Sequence, residues 1–194
     1  HKVHSEAHLS TGATWMLFED RLLLQPYFSN TLTSGYSLES HYSLDLSYFL
    51  SYSWTFSGHL GTGFRYPNFD ELYTESGLTQ PNPLLRPEKN FGLDLGIIYS
   101  PSKHFSSTLN YYRIWNKDLI EYVILADRRY APKNWAKTLT QGIEFSIQSL
   151  LFGVQLGGSM TWQQSINADS TDIFYQKVLP EKPEWSIQNW IKVF

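Results

Sequence analysis

Between residues 42 and 54 every even position carries a large side chain: Tyr42, Leu44, Leu46, Tyr48, Leu50, Tyr52 and Trp54. Ser43, Asp45, Ser47, Ser51 and Ser53 sit between them, with Phe49 the exception. Successive side chains of an extended chain point to opposite faces, so this stretch predicts a strand with one greasy and one polar face. Along the greasy row the aromatics gather at the two ends and the leucines lie in the middle. A strand that crosses a bilayer has this order, with hydrocarbon at its centre and Tyr or Trp at the interfaces. A strand half-buried in a soluble core alternates too, but rarely needs so many large residues in one row.

The pattern recurs along the chain. Residues 3–17 put Ala7, Leu9, Ala13 and Trp15 on one face, and His4, Glu6, His8, Ser10 and Thr14 on the other. Residues 21–30 align Leu22, Leu24, Pro26 and Phe28; the proline has no N–H to give, so a local ladder defect is expected there. A polar connection, 31–41, follows. In 55–65 Phe56, Leu60 and Phe64 oppose Thr55, Ser57, His59 and Arg65, and in 91–99 five apolar residues oppose Gly92, Asp94 and Gly96. Further strands are expected over 105–121, 138–149, 154–163 and 185–194. Turns fall at 19–20, 50–54, 100–104 and 150–153, and long connections at 66–89, 123–137 and 165–184. The reading is nine strands and no helix. Short turns alternate with long loops, as in an antiparallel barrel with its turns on one side of a membrane and its loops on the other. Lipid offers unpaired backbone nothing to bond to, so such strands belong to a closed sheet. Nine is odd, whereas bacterial barrels are even-numbered. The strands are therefore expected to be part of a larger barrel, or one has been miscounted.

Composition excludes several alternatives. The formal charge is −3, which gives no electrostatic case for nucleic acid. There is no Cys, hence no disulfide or thiolate metal site. Charged residues make up 17% and aromatics 16%, yet no apolar run approaches the ~18 residues of a transmembrane helix. His1 is not followed by a charged-then-apolar leader, as in a mature exported chain or a piece of a longer one. No Ser/His/Asp order, phosphate loop or paired-carboxylate signature appears, so neither an enzyme nor a cofactor is expected. His4 and His8 flank Glu6 on one strand face, either as metal ligands or as polar groups facing a barrel lumen. Asp70, Glu71 and Glu75 are acidic enough for calcium but lack a ligand-loop spacing.

Around the largest loop the residues become specific. Gly61, Thr62, Gly63, Phe64, Arg65, Tyr66, Pro67 and Asn68 lead to Glu71-Leu72-Tyr73, and then to Asn82-Pro83-Leu84-Leu85-Arg86-Pro87-Glu88-Lys89. This order resembles the barrel of TonB-dependent outer-membrane receptors, whose pattern is Phe-Arg-Ala-Pro, Glu-Leu-Tyr, then Asn-Pro-Asn-Leu-x-Pro-Glu. Tyr66 replaces the usual Ala and Leu84 the second Asn. Asn116-Lys117-Asp118-Leu119-Ile120 is similar to the family's Asp-Leu-Ile strand end. Thr140-Gln141-Gly142-Ile143-Glu144 is similar to its Gly-Val-Glu strand, and Leu179-Pro180 with Pro183 to a Pro-containing lead into the next strand. The cobalamin and siderophore receptors are nearest in character.

The resemblance implies that residues 1–194 form part of an all-β, up-and-down barrel of about 22 strands, with short periplasmic turns and long extracellular loops. It implies a Gram-negative outer membrane with its lipid, a plug domain and further strands outside this sequence. It also implies energised import of a metal chelate, a ferric siderophore or cobalamin, through the TonB complex. Arg65, Tyr66, Phe69 and Tyr73 lie at the base of the largest loop, where the family captures cargo. Arg65 either meets an anionic siderophore or the plug, or pairs with a neighbouring lumen carboxylate while the aromatics pack the loop. Haem receptors carry a His between the two loop motifs, and none lies between Arg65 and Pro87. A passive pore or structural barrel without energised transport is the alternative; a charged constriction would favour it, whereas the inward rows here are mainly Ser, Thr, Gly and Gln.

Overall fold

The computed structural model describes residues 5–134, 137–171, 174–179 and 183–193. His4, Pro180 and Phe194, which figured in the sequence reading, lie outside the described residues. The strands are β1 (Glu6–Gly12), β2 (Trp15–Leu17), β3 (Leu22–Thr33), β4 (Glu39–Phe49), β5 (Trp54–Arg65), β6 (Glu88–Ser102), β7 (Phe105–Lys117), β8 (Ile120–Ile124), β9 (Tyr130–Asn134), β10 (Thr138–Leu151), β11 (Val154–Asn167) and β12 (Trp185–Val193). One short helix, α1 (Phe69–Tyr73), follows β5. A single antiparallel sheet runs β1-β3-β4-β5-β6-β7-β10-β11-β12, with β2 also paired to β3, and β8 and β9 form a separate hairpin. Among the described residues β1 and β12 are its two edges, and the sheet does not close. With β1 and β2 taken together, its nine strands are those the alternation predicts.

The break between β1 and β2 has a local cause. Gly12 pairs with Tyr27 and Trp15 with Leu24, so the register carries straight across the gap. Ala13 and Pro26 stand opposite each other there. Ala13 N–H donates to Pro26 O at 3.1 Å, but Pro26 has no N–H to return.

Register sorts the side chains into two faces. One lateral row reads Leu22, Tyr48, Phe56, Ile97, Leu109, Phe145, Met160 and Ile187 across eight strands. The adjacent row on the opposite face reads Ser47, Ser57, Gly96, Asn110, Glu144, Thr161 and Ser186. Aromatic pairs bracket the apolar face: Trp54–Tyr99 at 4.4 Å towards one end, Phe28–Tyr42 at 5.1 Å and Phe91–Trp115 at 5.6 Å towards the other. Among the described residues nothing packs over this face. Among the described residues the buried apolar side chains, Leu72, Leu85, Ile120 and Ala131 with Pro67, Pro87 and Pro132, all lie outside the nine-stranded sheet, whereas Leu95, Leu109, Ile143 and Met160 are exposed. A greasy sheet face with aromatic borders and no core behind it is built to meet lipid.

The connections sort by length. Segments 18–21, 50–53, 103–104 and 152–153 lie at one end of the sheet; 34–38, 66–87 and 118–134 lie at the other, where β11 also ends. Phe152 and Gly153 both take positive φ, 50° and 80°, the pair of left-handed residues that marks a two-residue type I′ turn.

Several expected boundaries are corrected. The 42–54 strand ends at Phe49, because Leu50 N–H and Ser51 N–H fold back onto Trp54 O; Tyr52 leaves the row and is 94% exposed. The 31–41 connection shrinks to 34–38, since Thr31 and Thr33 stay in the β3 ladder with β1. The 105–121 strand stops at Lys117, where Asp118 turns the chain at φ 58°. The 123–137 connection contains half of the β8–β9 hairpin, and β11 runs on to Asn167. The expectation of no helix missed α1, which at five residues is too short to show a helical period.

Candidate functional site

The three loop motifs meet at Arg65. Its Nε and Nη2 donate to the two oxygens of Glu88 at 2.8 and 2.7 Å. Its Nη1 and Nη2 donate to the two oxygens of Glu71 at 3.1 and 3.2 Å. One planar guanidinium thus holds two carboxylates, the strong fork geometry for such pairs. β5 and β6 supply Arg65 and Glu88 as a facing pair. Helix α1 supplies Glu71, and its start is fixed by a capping box: Asn68 Oδ1 accepts from Glu71 N–H at 2.8 Å, and Glu71 Oε2 accepts from Asn68 N–H at 2.7 Å. Pro67 is buried just before this cap. Glu71 is among the most buried charges in the chain, with 7% of its side chain exposed against 43% for Arg65.

The clasp extends into the second long loop. Glu88 Oε1 also accepts from Ile120 N–H at 2.8 Å, so the first residue of β8 is bound to the same carboxylate. Leu72, Leu85 and Ile120 bury their side chains against one another beneath it, with Tyr73 at the edge. Asn82 N–H donates to Glu71 O at 2.9 Å, and Asn82 Nδ2 to Pro132 O at 3.0 Å. Asn134 Oδ1 accepts from Arg86 N–H, while its Nδ2 donates to Arg86 O and Asp118 O. Arg86 reaches Asp118 at 2.5 Å, and Arg129 reaches Asp127 and Glu75. Gln80 N–H and Tyr130 N–H add a backbone seam between the loops. Loops 66–87 and 118–134 are one folded unit seated on the sheet rim.

The remaining expected residues fall around this unit. Tyr66 donates its hydroxyl to Thr31 O at 3.2 Å and packs on Tyr36 and Phe64. Burial raises the Tyr36 and Tyr66 phenols above their ordinary range; Tyr73 and Glu71 add to the effect at Tyr36. Phe69 and Tyr73 meet edge to face at 5.0 Å, and Phe69 is half exposed. Pro83 and Pro87 flank the Leu85 anchor. Gly142 lies apart, on the polar face of β10: a Cβ there would stand 2.6 Å from the Tyr112 hydroxyl and 2.6 Å from Trp162 O. Glu144 faces Asn110 and Thr161 on the same side. The acidic trio does not converge. Asp70 accepts from the Thr74 hydroxyl, Glu71 serves Arg65, and Glu75 faces Arg129. His8 bonds Thr31 Oγ1 at 2.9 Å, so the described half of the His4/His8 pair is engaged. The sequence reading missed Asn134, Arg129 and the Asp118 side chain. Only Asp118 carried a signal, through its motif.

A family model described as TonB dependent receptor-like, beta-barrel, matches residues 24–192. An iron-regulated outer membrane virulence protein of Vibrio cholerae is 23% identical over 184 residues, 88% of this chain and 28% of the relative. A variant of the ferric enterobactin receptor of Pseudomonas aeruginosa, solved with enterobactin, superposes with TM-score 0.78 at 19% identity, over 98% of this chain and 30% of that one. The copper transporter OprC gives 0.75 at 17% identity, over 96% and 32%. The chain therefore spans about 30% of the length of the relatives it matches.

Proposed function

The chain belongs to the TonB-dependent receptor β-barrel family, and on that premise we propose that it is part of the barrel wall of an outer-membrane receptor importing a metal chelate. The apolar face meets outer-membrane lipid, the four short turns face the periplasm, and the long-loop rim faces outward. A plug domain, further strands and coupling to the TonB complex complete the transporter. The cargo is a ferric siderophore in preference to cobalamin; the iron-regulated relative and the enterobactin receptor support that choice. The single observation that carries the reading is the Arg65 clasp. It joins two long loops into one rigid platform on one rim, which a ligand-capturing surface needs and a passive pore does not.

Within this reading Arg65 acts as a positioning residue, because its donors are directed at Glu71 and Glu88. Phe69 and Tyr73 present an aromatic surface to the chelate, and Tyr66, near them in sequence, packs against Tyr36 and Phe64. The test is tryptophan quenching on the full-length receptor in detergent against a panel of ferric siderophores, cobalamin and haem. Saturable binding of one ferric siderophore, weakened about tenfold by Phe69→Ala, is expected. Ion conductance in planar bilayers without binding of any chelate would replace the receptor reading with a pore.

A further inference from the structure

An anionic chelate needs a cation to meet it, and the loop unit spends its cations on itself. Residues 66–87 and 118–134 carry six carboxylates, Asp70, Glu71, Glu75, Asp118, Glu121 and Asp127, against four cations, Arg86, Arg128, Arg129 and Lys133. The unit is therefore doubly negative, and the clasp leaves it so, because Arg65 and Glu88 cancel.

The pairing shows where the excess sits. Arg65 is shared by Glu71 and Glu88, and Arg129 by Asp127 at 2.8 Å and Glu75 at 3.4 Å. Each of these guanidiniums serves two carboxylates, so its surroundings stay net negative. Arg86 reaches Asp118, and Lys133 stands directly across the hairpin from Glu121. Asp70 accepts from the Thr74 hydroxyl and makes no ion pair among the described residues. What remains is Arg128 at the hairpin tip, where φ of 67° turns the chain. Outside the unit, Lys117 lies on the Trp115 side of β7, which faces lipid. Lys137 is felt by Asp169, whose carboxylate is bound chiefly by Thr171.

The same unit exposes an apolar strip. Ile120, Tyr122 and Ile124 share one face of β8. At the base of the hairpin Ile120 is buried against Leu72 and Leu85, and Pro132, paired with Tyr122, is buried as well. Towards the tip the same face is open: Tyr122, Ile124 and Tyr130, the partner of Ile124, are all exposed. Leu78 adjoins them, since its carbonyl accepts from Tyr130 N–H, and its side chain is 71% exposed. The charged pair Glu121 and Lys133 takes the opposite face. A contiguous apolar patch on a loop surface marks a contact with a ligand.

Both observations bear on the charge of the cargo. Iron(III) held by three hydroxamates is uncharged, because each gives up one proton. Held by three catecholates it keeps three negative charges, because each gives up two. We propose that the cargo is an uncharged ferric chelate of the tris-hydroxamate kind, with its organic shell packed on the strip of Tyr122, Ile124 and Tyr130. A doubly negative surface repels a triply negative complex and is indifferent to an uncharged one. The inference rests on the receptor reading given above and narrows it.

The test is tryptophan quenching on the full-length receptor in detergent. The probes are an uncharged ferric tris-hydroxamate, a triply negative ferric tris-catecholate, and cobalamin. Expected is saturable binding of the hydroxamate complex, about tenfold or more tighter than that of the catecholate complex. Its Kd should move by less than about twofold between about 0.05 and 0.5 M NaCl, while any catecholate binding strengthens as salt screens the repulsion. Asp70→Asn with Glu75→Gln removes two negative charges and leaves Arg129 on Asp127. That variant should raise catecholate affinity about fivefold and leave the hydroxamate complex unchanged. Ile124→Ser should weaken the hydroxamate complex about fivefold. Tighter binding of the catecholate complex, or hydroxamate binding indifferent to Ile124→Ser, overturns the inference and leaves the receptor reading standing. Binding of cobalamin alone, or ion conductance with no chelate bound, overturns the inference together with the siderophore reading.

Discussion

Replacing Arg65 by Ala removes four N–H···O contacts at 2.7 to 3.2 Å and leaves two carboxylates facing each other. Glu71 would keep Asn68 N–H as its remaining donor, and Glu88 would keep Ile120 N–H. Stripping the partner from a fully buried pair costs about 3–5 kcal/mol. Arg65 is 43% exposed, so water reaches one side of the clasp and the figure falls towards that of surface pairs. Between these limits the loss is about 2–3 kcal/mol of local stability, or ~30- to 150-fold in the opening equilibrium. The loss should be confined to the loop unit. Hydrogen exchange on the full-length receptor in detergent reads it at three amides: Leu72 donating to Asn68 O, Asn82 donating to Glu71 O, and Ile120 donating to Glu88. All three should exchange faster, while amides in the middle of β6 and β7 stay protected. Glu71→Gln, which keeps the shape and removes the charge, should show a smaller change at the same amides. Rates within about twofold of the parent in Arg65→Ala would refute the clasp as the element that holds the two loops together.

Four other outcomes follow from the same geometry. Leu46→Arg, in the lipid-facing row between Leu24 and Gly58, should destabilise folding into bilayers by about 2–4 kcal/mol if near mid-membrane; an unchanged folding equilibrium in lipid would reverse the face assignment. Gly142→Ala puts a methyl 2.6 Å from Trp162 O and the Tyr112 hydroxyl and should cost about 1–3 kcal/mol in the same assay, with most of the loss recovered by adding Tyr112→Ser if the ring is the obstacle. Pro26→Ala supplies the missing donor opposite Ala13, so the new amide should be protected from exchange; a free-exchange rate would show that the β1–β2 break has another cause. The Tyr36 and Tyr66 phenols are held neutral above their ordinary value of 10.0, so their contribution is intact below pH 10 and declines as pH rises from there through the raised folded values. Spectroscopic titration should find these two phenols ionising above the ordinary phenol value of 10.0, and ionisation at that value would contradict the burial.

The sheet was legible because a strand's period is two and the environments on its faces differ. The alternation in 42–49, 91–99 and 138–149 needs no tertiary information to say which residues share a face. Boundaries were less legible where the pattern continues past the ladder. Leu50, Tyr52 and Trp54 keep the parity of the row, but a backbone turn at 50–53 takes them out of it, and nothing in side-chain alternation records where the chain bends. Thr31 and Thr33 misled in the other direction. A polar, β-branched run reads as a loop by composition, yet it stays in strand geometry because β1 pairs with it and Tyr66 covers it. The Pro26 defect could be read in advance because a missing N–H is a property of the residue itself.

The loop unit was legible as motifs and opaque as geometry. Glu71 and Glu88 lie 6 and 23 residues beyond Arg65, and the sequence offers Arg65 other acidic neighbours, such as Asp70 and Glu75. What selects Glu71 is the capping box, which turns that carboxylate back towards Asn68 and hence towards Arg65, while Asp70 points to Thr74. Glu88 is selected because β5 and β6 place it directly across the ladder. Asn134 carried no signal, since an asparagine that bridges three backbone groups looks like any loop asparagine. The motif residues thus spend their polar groups on one another and on the backbone of the second loop. A residue committed in this way cannot change partners without opening the loop unit. Under the receptor reading proposed above, discrimination between cargoes would fall to loop residues that the clasp leaves exposed, Phe69 first among them, while the platform beneath them keeps its shape.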